Sequence, residues 1–306
     1  MKVAVVGASG FVGSAVKSVL SEQGHDVAEV RAPRVAHADA AGGLEAQGAA
    51  VEALVIEFEG LDAVVNCSGN PDASEQNGDE LIAANAISPA IVARAAARAG
   101  VRRLVHVSSA VVQGRRPKLD ETDSTEEFSA YAYSKAEGER LVRQESLTAT
   151  IYRPPSVHAE SRRVTAMTAK IAGSPLATVA APGSQHSPQA LIGNVASAIA
   201  FLATTDREPP AIVIHPWEGL TSLDVMELLG GKRPVVVPRS LARGLCNGLE
   251  LAGRKVPAVA ANARRVEMLW FGQDQADSWL TSAGWTPPHG RDAWRALGET
   301  IRSRQA

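Results

Sequence analysis

KVAVVGASGFVG, residues 2–13, is the stretch on which the reading of the whole chain turns. Val3 to Val6 is an apolar run rich in β-branched residues, the pattern of a parallel strand buried on both faces. Gly7, Gly10 and Gly13 follow at three-residue spacing, and the apolar pattern turns helical through Phe11, Val12, Ala15, Val16, Val19 and Leu20. Strand, glycine turn and helix together make an anion site. The first N–H groups of the helix are unpaired and sit at the positive end of its dipole. Glycines let the backbone turn tightly and approach a pyrophosphate. Gly7, Ser9, Gly10, Phe11, Val12 and Gly13 are therefore the expected cradle of a dinucleotide. The bland alternative is a ligand-free turn, and the position between a strand and a helix argues against it.

Outward from that stretch, composition sets limits. The 306 residues suit one large domain with a smaller companion. Hydrophobic residues make up 45%, charged residues 21%, and the net charge is -2, so no basic excess points to nucleic acid or a membrane surface. No apolar stretch approaches the length of a membrane span, and a strand beginning at residue 2 leaves no room for a signal peptide. A cytoplasmic protein is expected. Cys67 and Cys246 match no metal or redox spacing, and the seven histidines form no ligand pair, so no metal is expected.

Along the chain, strands are expected at 27–30, 61–67, 104–107, 148–152 and 211–215. Helices are expected at 51–58, 81–99, 129–144, 191–202 and 220–229. Residues 36–50 show no clear third strand, and 161–187 read as irregular with one helical piece. Strand alternating with helix predicts an α/β, Rossmann-type doubly wound parallel sheet. The later, mostly helical segments predict a smaller C-terminal substrate lobe. The expected division is 1–158 with 189–216 for the dinucleotide domain, and 159–188 with 217–306 for the lobe. Where the second strand ends, an acid would select NAD; this chain has Arg31, with Arg34 close behind. A guanidinium suits a 2′-phosphate, which points to NADP (NADPH), with NAD as runner-up. Cys67, Ser68 and Gly69 end one strand with small residues that let a ligand pass over the sheet edge. Val107 and Ser108 end the next, and Pro154 and Pro155 turn the chain out of the sheet after another.

The chemistry centres on Tyr131 and Lys135, which share one helix face at four-residue spacing. A nearby ammonium lowers the tyrosine pKa, so the hydroxyl can hand a proton to a substrate oxygen near neutral pH. Ser109, at an adjacent strand end, can hydrogen-bond the same oxygen, and Lys135 can also hold the nicotinamide ribose. Tyr133 is an internal control: its partner at the same spacing is Glu137, which cannot do this work.

With these motifs in hand, the chain resembles an extended short-chain dehydrogenase/reductase of the NAD-dependent epimerase/dehydratase family, which acts largely on nucleotide sugars. The resemblance runs through GASGFVG at 7–13, NCSG at 66–69, Asn85 and GVRRLVHVSSAVVQG at 100–114. It continues through YAYSK at 131–135, RPPSV at 153–157 and the late Gly284-Trp285. It implies Ser109, Tyr131 and Lys135 as the catalytic triad. It implies Asn85, Pro154, Ser156 and Val157 near the cofactor, and Gln113, Ser156 and His158 facing the substrate. Ala110-Val111 stands where sugar dehydratases of this family carry an acid pair, which argues against dehydration. The leading expectation is an NADPH-dependent ketoreductase acting on a nucleotide-linked deoxysugar or similar polar metabolite. The alternatives are an NAD-retaining nucleotide-sugar epimerase and a non-catalytic dinucleotide-sensing protein. A homodimer is expected from the resemblance alone.

Overall fold

Alternate residues of the first strand, β1 (Lys2–Val6), feed two different cores. Val3 and Val5 pack on one face of the sheet, Ala4 and Val6 on the other. That is the physical content of an apolar run without polar alternation. The computed structural model describes residues 1–35, 42–72, 75, 77–145, 149–253 and 266–305.

After β1 come α1 (Phe11–Glu22), β2 (Asp26–Val30), α2 (Gly48–Phe58), β3 (Ala63–Asn66), α3 (Gly78–Arg98) and β4 (Arg103–Val107). Then follow β5 (Lys118–Leu119), α4 (Ala130–Glu145), β6 (Ala149–Arg153), β7 (Ser156–His158), α5 (Arg163–Ala172) and β8 (Thr178–Ala180). The chain continues with β9 (Gln189–Leu191), α6 (Ile192–Thr204), β10 (Ile212–Ile214), α7 (Ser222–Gly230), β11 (Val235–Val237) and α8 (Arg239–Gly253). It closes with β12 (Asp274–Gln275), α9 (Trp279–Ser282) and α10 (Arg291–Gln305).

Six strands form one parallel sheet in the order β10-β6-β4-β3-β1-β2. Val16 and Leu20 of α1, with Val195, Ile199 and Leu202 of α6, cover one face. Val51, Leu54 and Phe58 of α2, Ile87 and Ile91 of α3 and Val142 of α4 cover the other. This is the expected doubly wound α/β architecture. Among the described residues no strand lies between β2 and β3, and β2 is the last strand of the sheet; of the stretch without a clear third strand, 36–41 lie outside the described residues. A third core joins α5, α7 and α10 through Ala169, Val225, Leu229, Trp294 and Ile301.

Three readings change. The helix α3 is long and apolar enough to cross a membrane by length and composition, where no such stretch was expected. Its apolar residues are spent inside the protein, packed between the sheet and its neighbours. It is also interrupted by a single π-helical turn, Ala83–Ile87. Outside the main sheet, segments not read as strands hold three short pairings, β5 with β12, β7 with β9 and β8 with β11.

Candidate active site

The glycine turn lies at the carboxyl edge of the sheet. Gly10 N donates to Gly7 O at 2.9 Å, and Ser14 N donates to Gly10 O at 2.9 Å, which starts α1. A Cβ on Gly13 would sit 2.2 Å from the Gly7 carbonyl oxygen, so only glycine lets the helix begin this close to the strand. No acidic residue stands in the first turn of α1, and no side chain caps it, so its N–H groups remain open to an anion. Gly7 N donates to Val30 O at 3.0 Å, so Arg31 leaves the sheet beside this turn. Arg31 and Arg34 are exposed. These features fit a 2′-phosphorylated dinucleotide: an acid-free helix start for the pyrophosphate and two arginines next to the ribose end.

The helix α4 begins at Ala130 and brings Tyr131 and Lys135 onto its inner face, while Tyr133 points outward, 57% exposed. The Ser109 side chain lies beside the Tyr131 hydroxyl, where it favours the phenolate. Ser109 itself caps the short 3-10 turn Ala110–Gln113 by accepting from Val111 N at 3.3 Å, which fixes its rotamer. The expected lowering of the Tyr131 pKa by Lys135 is not found: burial raises it, opposed by Ser109 and by the Arg162 charge. Lys135 is buried, and a Cβ on Gly69 would fall 2.9 Å from its Nζ, so the ammonium lies against the 66–70 loop. Burial lowers its pKa to about 8, and the nearby Glu139 carboxylate works against that fall.

Around this pair runs a set of partners that the sequence reading missed. Glu139, one turn beyond Lys135, accepts two hydrogen bonds from Arg153 at 3.0 and 2.7 Å and one from the Ser108 hydroxyl at 2.5 Å. Both members of the ion pair are almost fully shielded from solvent. Arg153 also donates to Thr122 O at 2.8 Å. The four-residue repeat Tyr131, Lys135, Glu139 was the available signal for the acid; its basic partner had none. His106, beneath Lys135, is held down to about 3 by burial and stays neutral.

Several expected site residues do other work. Asn85, on the π-helical turn, accepts from Asn70 N at 2.9 Å and donates to Asn70 O and Ser134 Oγ. Its amide is consumed in holding the loop over Lys135, so it shapes the cofactor edge without presenting a free group to it. Ser108, expected at the cofactor, spends its hydroxyl on Glu139 and its N–H on Tyr152 O. Gln113, expected to face substrate, is fully buried and closes an amide ring on Asp120, donating to Oδ1 at 2.8 Å and accepting from N at 2.9 Å. It builds the loop. His158 is buried, 2.6 Å from Gln189 Oε1, and burial holds its pKa to about 4. Ser156 and Val157 are half-buried on the strand leading to it, after the buried Pro154. Val107 is buried at the end of β4. Ser68 donates its hydroxyl to Asn66 Oδ1 at 2.5 Å, and burial pushes the neighbouring Cys67 thiol up to about 12, leaving it inert. Among the described residues no cluster of metal-binding side chains occurs. A cleft of about 730 Å³ lies away from this chemistry, at the amino edge of the sheet beside Arg103, Ala149, Arg207 and Trp279.

Fold and site together define a dinucleotide-binding protein with a tyrosine–lysine pair at the carboxyl edge of its sheet. The chain belongs to the NAD dependent epimerase/dehydratase family, whose pattern it matches over residues 3–214. It is 31% identical over 149 residues to the dTDP-4-dehydrorhamnose reductase of Mycobacterium tuberculosis (strain CDC 1551 / Oshkosh), a match that covers 46% of this chain and 45% of that protein. The chain thus spans about half the length of the curated relatives it matches. Among solved structures it resembles human epimerase family protein SDR39U1 with NADPH, at a TM-score of 0.68 and 17% identity, covering 98% and 99% of the two chains. It also resembles dTDP-4-dehydrorhamnose reductase from Bacillus anthracis str. Ames in complex with NADP, at 0.65 and 17%, covering 100% and 99%. At these identities the structural likenesses speak to the fold.

Proposed function

We propose that this chain is an NADPH-dependent ketoreductase that reduces a keto group on a nucleotide-linked deoxysugar. The observation that carries the reading is the convergence of Ser109 and Tyr131 beside the acid-free start of α1, with Lys135 buried one helical turn beyond Tyr131. The kinship with dTDP-4-dehydrorhamnose reductases supports the substrate class, and Arg31 and Arg34 support NADPH over NADH. NADPH, when bound, supplies the hydride. Ser109 orients the substrate oxygen, and Tyr131 donates its hydroxyl proton to it. The positive charges of Lys135 and Arg162 favour the phenolate left behind. The Glu139 carboxylate favours the charged form of Lys135, and Arg153 is the ion-pair partner of Glu139. In this reading 159–188 and 217–306 form the lobe that faces the substrate.

The test is titration of the cofactor-stripped protein with NADPH and NADH, followed by turnover of a dTDP-linked 4-keto-6-deoxysugar. NADPH is expected to bind tighter. Tyr131→Phe is expected to lower kcat roughly 100- to 10,000-fold, the usual worth of a positioned general acid, with NADPH affinity unchanged. NAD retained through purification, or a preference for NADH, favours an epimerase instead. Undiminished turnover by Tyr131→Phe defeats the assignment of the proton donor.

A further inference from the structure

Arg162 is a cation beside the site with no anion of its own. It forms the N-cap of α5, and its guanidinium lies over the ring of Phe11, 4.5 Å from the centroid. Phe11 is the first residue of α1, so this side chain reaches from the start of α5 to the glycine turn. Its Nε is buried without a hydrogen-bond partner. Among the described residues no carboxylate pairs with it: the nearby Glu160 is engaged by Arg304 at 2.6 Å. The groups its charge acts on, Tyr131 and His158, are both neutral at pH 7.

The surroundings make this isolation costly. The start of α1 is itself positive and carries no acid in its first turn, and Lys135 is buried one turn beyond Tyr131 on α4. A partly buried cation among positive fields is unfavourable unless a ligand brings the counter-charge. The contact with Phe11 holds the guanidinium over the ring, and no described group takes its N–H edge, whose planar fork matches phosphate oxygens.

We propose that Arg162 is an anion-recognition residue that takes a phosphate oxygen of a diphosphate bound between α1 and the start of α5. The proposal rests on the reductase reading only for the two sources of that diphosphate, the pyrophosphate of the cofactor and the nucleoside diphosphate of the substrate. Arg162 makes no side-chain capping bond to α5, so its replacement leaves the helix start intact.

Arg162→Met keeps the length of the side chain and its contact with Phe11 while removing the charge; Arg162→Lys keeps the charge and removes the fork. NADPH is titrated into the stripped protein by fluorescence, and dTDP into the NADP-loaded protein by calorimetry, with melting curves to show that each variant folds. Arg162→Met is expected to weaken one of these ligands by roughly ten- to hundredfold, the worth of a charged hydrogen bond, with Arg162→Lys recovering only part. The ligand that weakens identifies the source. Both ligands binding both folded variants within about twofold of the wild type would overturn the proposal. The underlying function fails separately: wild type inert toward keto-sugar nucleotides, with NADPH still weakened by Arg162→Met, removes the reductase reading and leaves the role of Arg162 standing.

Discussion

Lys135 answers to two opposing forces, and in the proposed reaction the balance between them sets the working pH. Burial drives its pKa down from the ordinary lysine value to about 8, while the Glu139 carboxylate four residues on restrains the fall. The folded protein therefore gives up this proton as pH rises through about 8, well before an exposed lysine does. In the unfolded chain the ammonium persists to its ordinary pKa, so burying it costs stability at any pH below that value. In the proposed reaction the charged form is the useful one, because an ammonium one turn along the helix favours the phenolate that Tyr131 would leave on donating its proton. kcat/KM for ketone reduction is accordingly expected to stay level from about pH 6 to about pH 7.5 and to fall by about tenfold per unit well above pH 8. A pH–rate profile reads this directly. A profile that stays level to about pH 10 would show that the Lys135 charge does not govern the step.

The helix α4 owes its rotational setting to the far end of the same face. Glu139 is gripped by Arg153 of β6 and by the hydroxyl of Ser108, the residue after β4, so the helix is pinned against two neighbouring strand ends. Glu139→Gln removes the charge and leaves a buried guanidinium without a counter-ion. The expected loss is about 3–5 kcal/mol in urea unfolding, with the double variant Glu139→Gln, Arg153→Met recovering part of it. A loss below about 1 kcal/mol would mean that the pair has no such hold. The same helix shows what the sequence made legible. Tyr131 and Lys135 could be paired in advance because their relation is local and follows the helical period. Arg153 could not be paired with Glu139, because that contact exists only once β6 lies beside β4 in the sheet. The strands of the sheet were readable from β-branched runs bounded by small residues. The pairings of β8 with β11 and β5 with β12 were not, since two- or three-residue strands have too little length to show a period. Asn85 was singled out correctly as a residue of the long helix, but the π-helical turn that lets it reach Asn70 and Ser134 leaves no mark in the hydrophobic pattern.

Across the whole molecule, burial of polar groups ties the sheet to the helices that follow it. Tyr152 of β6 meets His215 Nδ1 at 2.5 Å, and His215 Nε2 meets Glu218 at 3.0 Å. Glu218 in turn accepts from Asn194 of α6 and Trp294 of α10. This buried chain joins the main sheet to the third core. Elsewhere, two histidines are buried in neutral form, His106 in the sheet and His158 against Gln189, held to about 3 and about 4 chiefly by loss of water. The sign of the pH effect follows from these lowered values. Below about pH 6.5 an unfolded histidine takes up a proton that the folded one refuses, so acid favours the unfolded chain. Stability is intact above the unfolded value and is lost as pH falls from about 6.5 toward about 4, by about 2 kcal/mol for each histidine at pH 5. His106→Asn and His158→Gln replace each ring with an amide that does not titrate. Urea midpoints of wild type and variants at pH 7.5 and pH 5 separate this loss from whatever each substitution costs at neutral pH. The pH-dependent difference is expected to shrink by about 2 kcal/mol in each variant, and an unchanged difference in both would show that these rings are protonated in the folded protein.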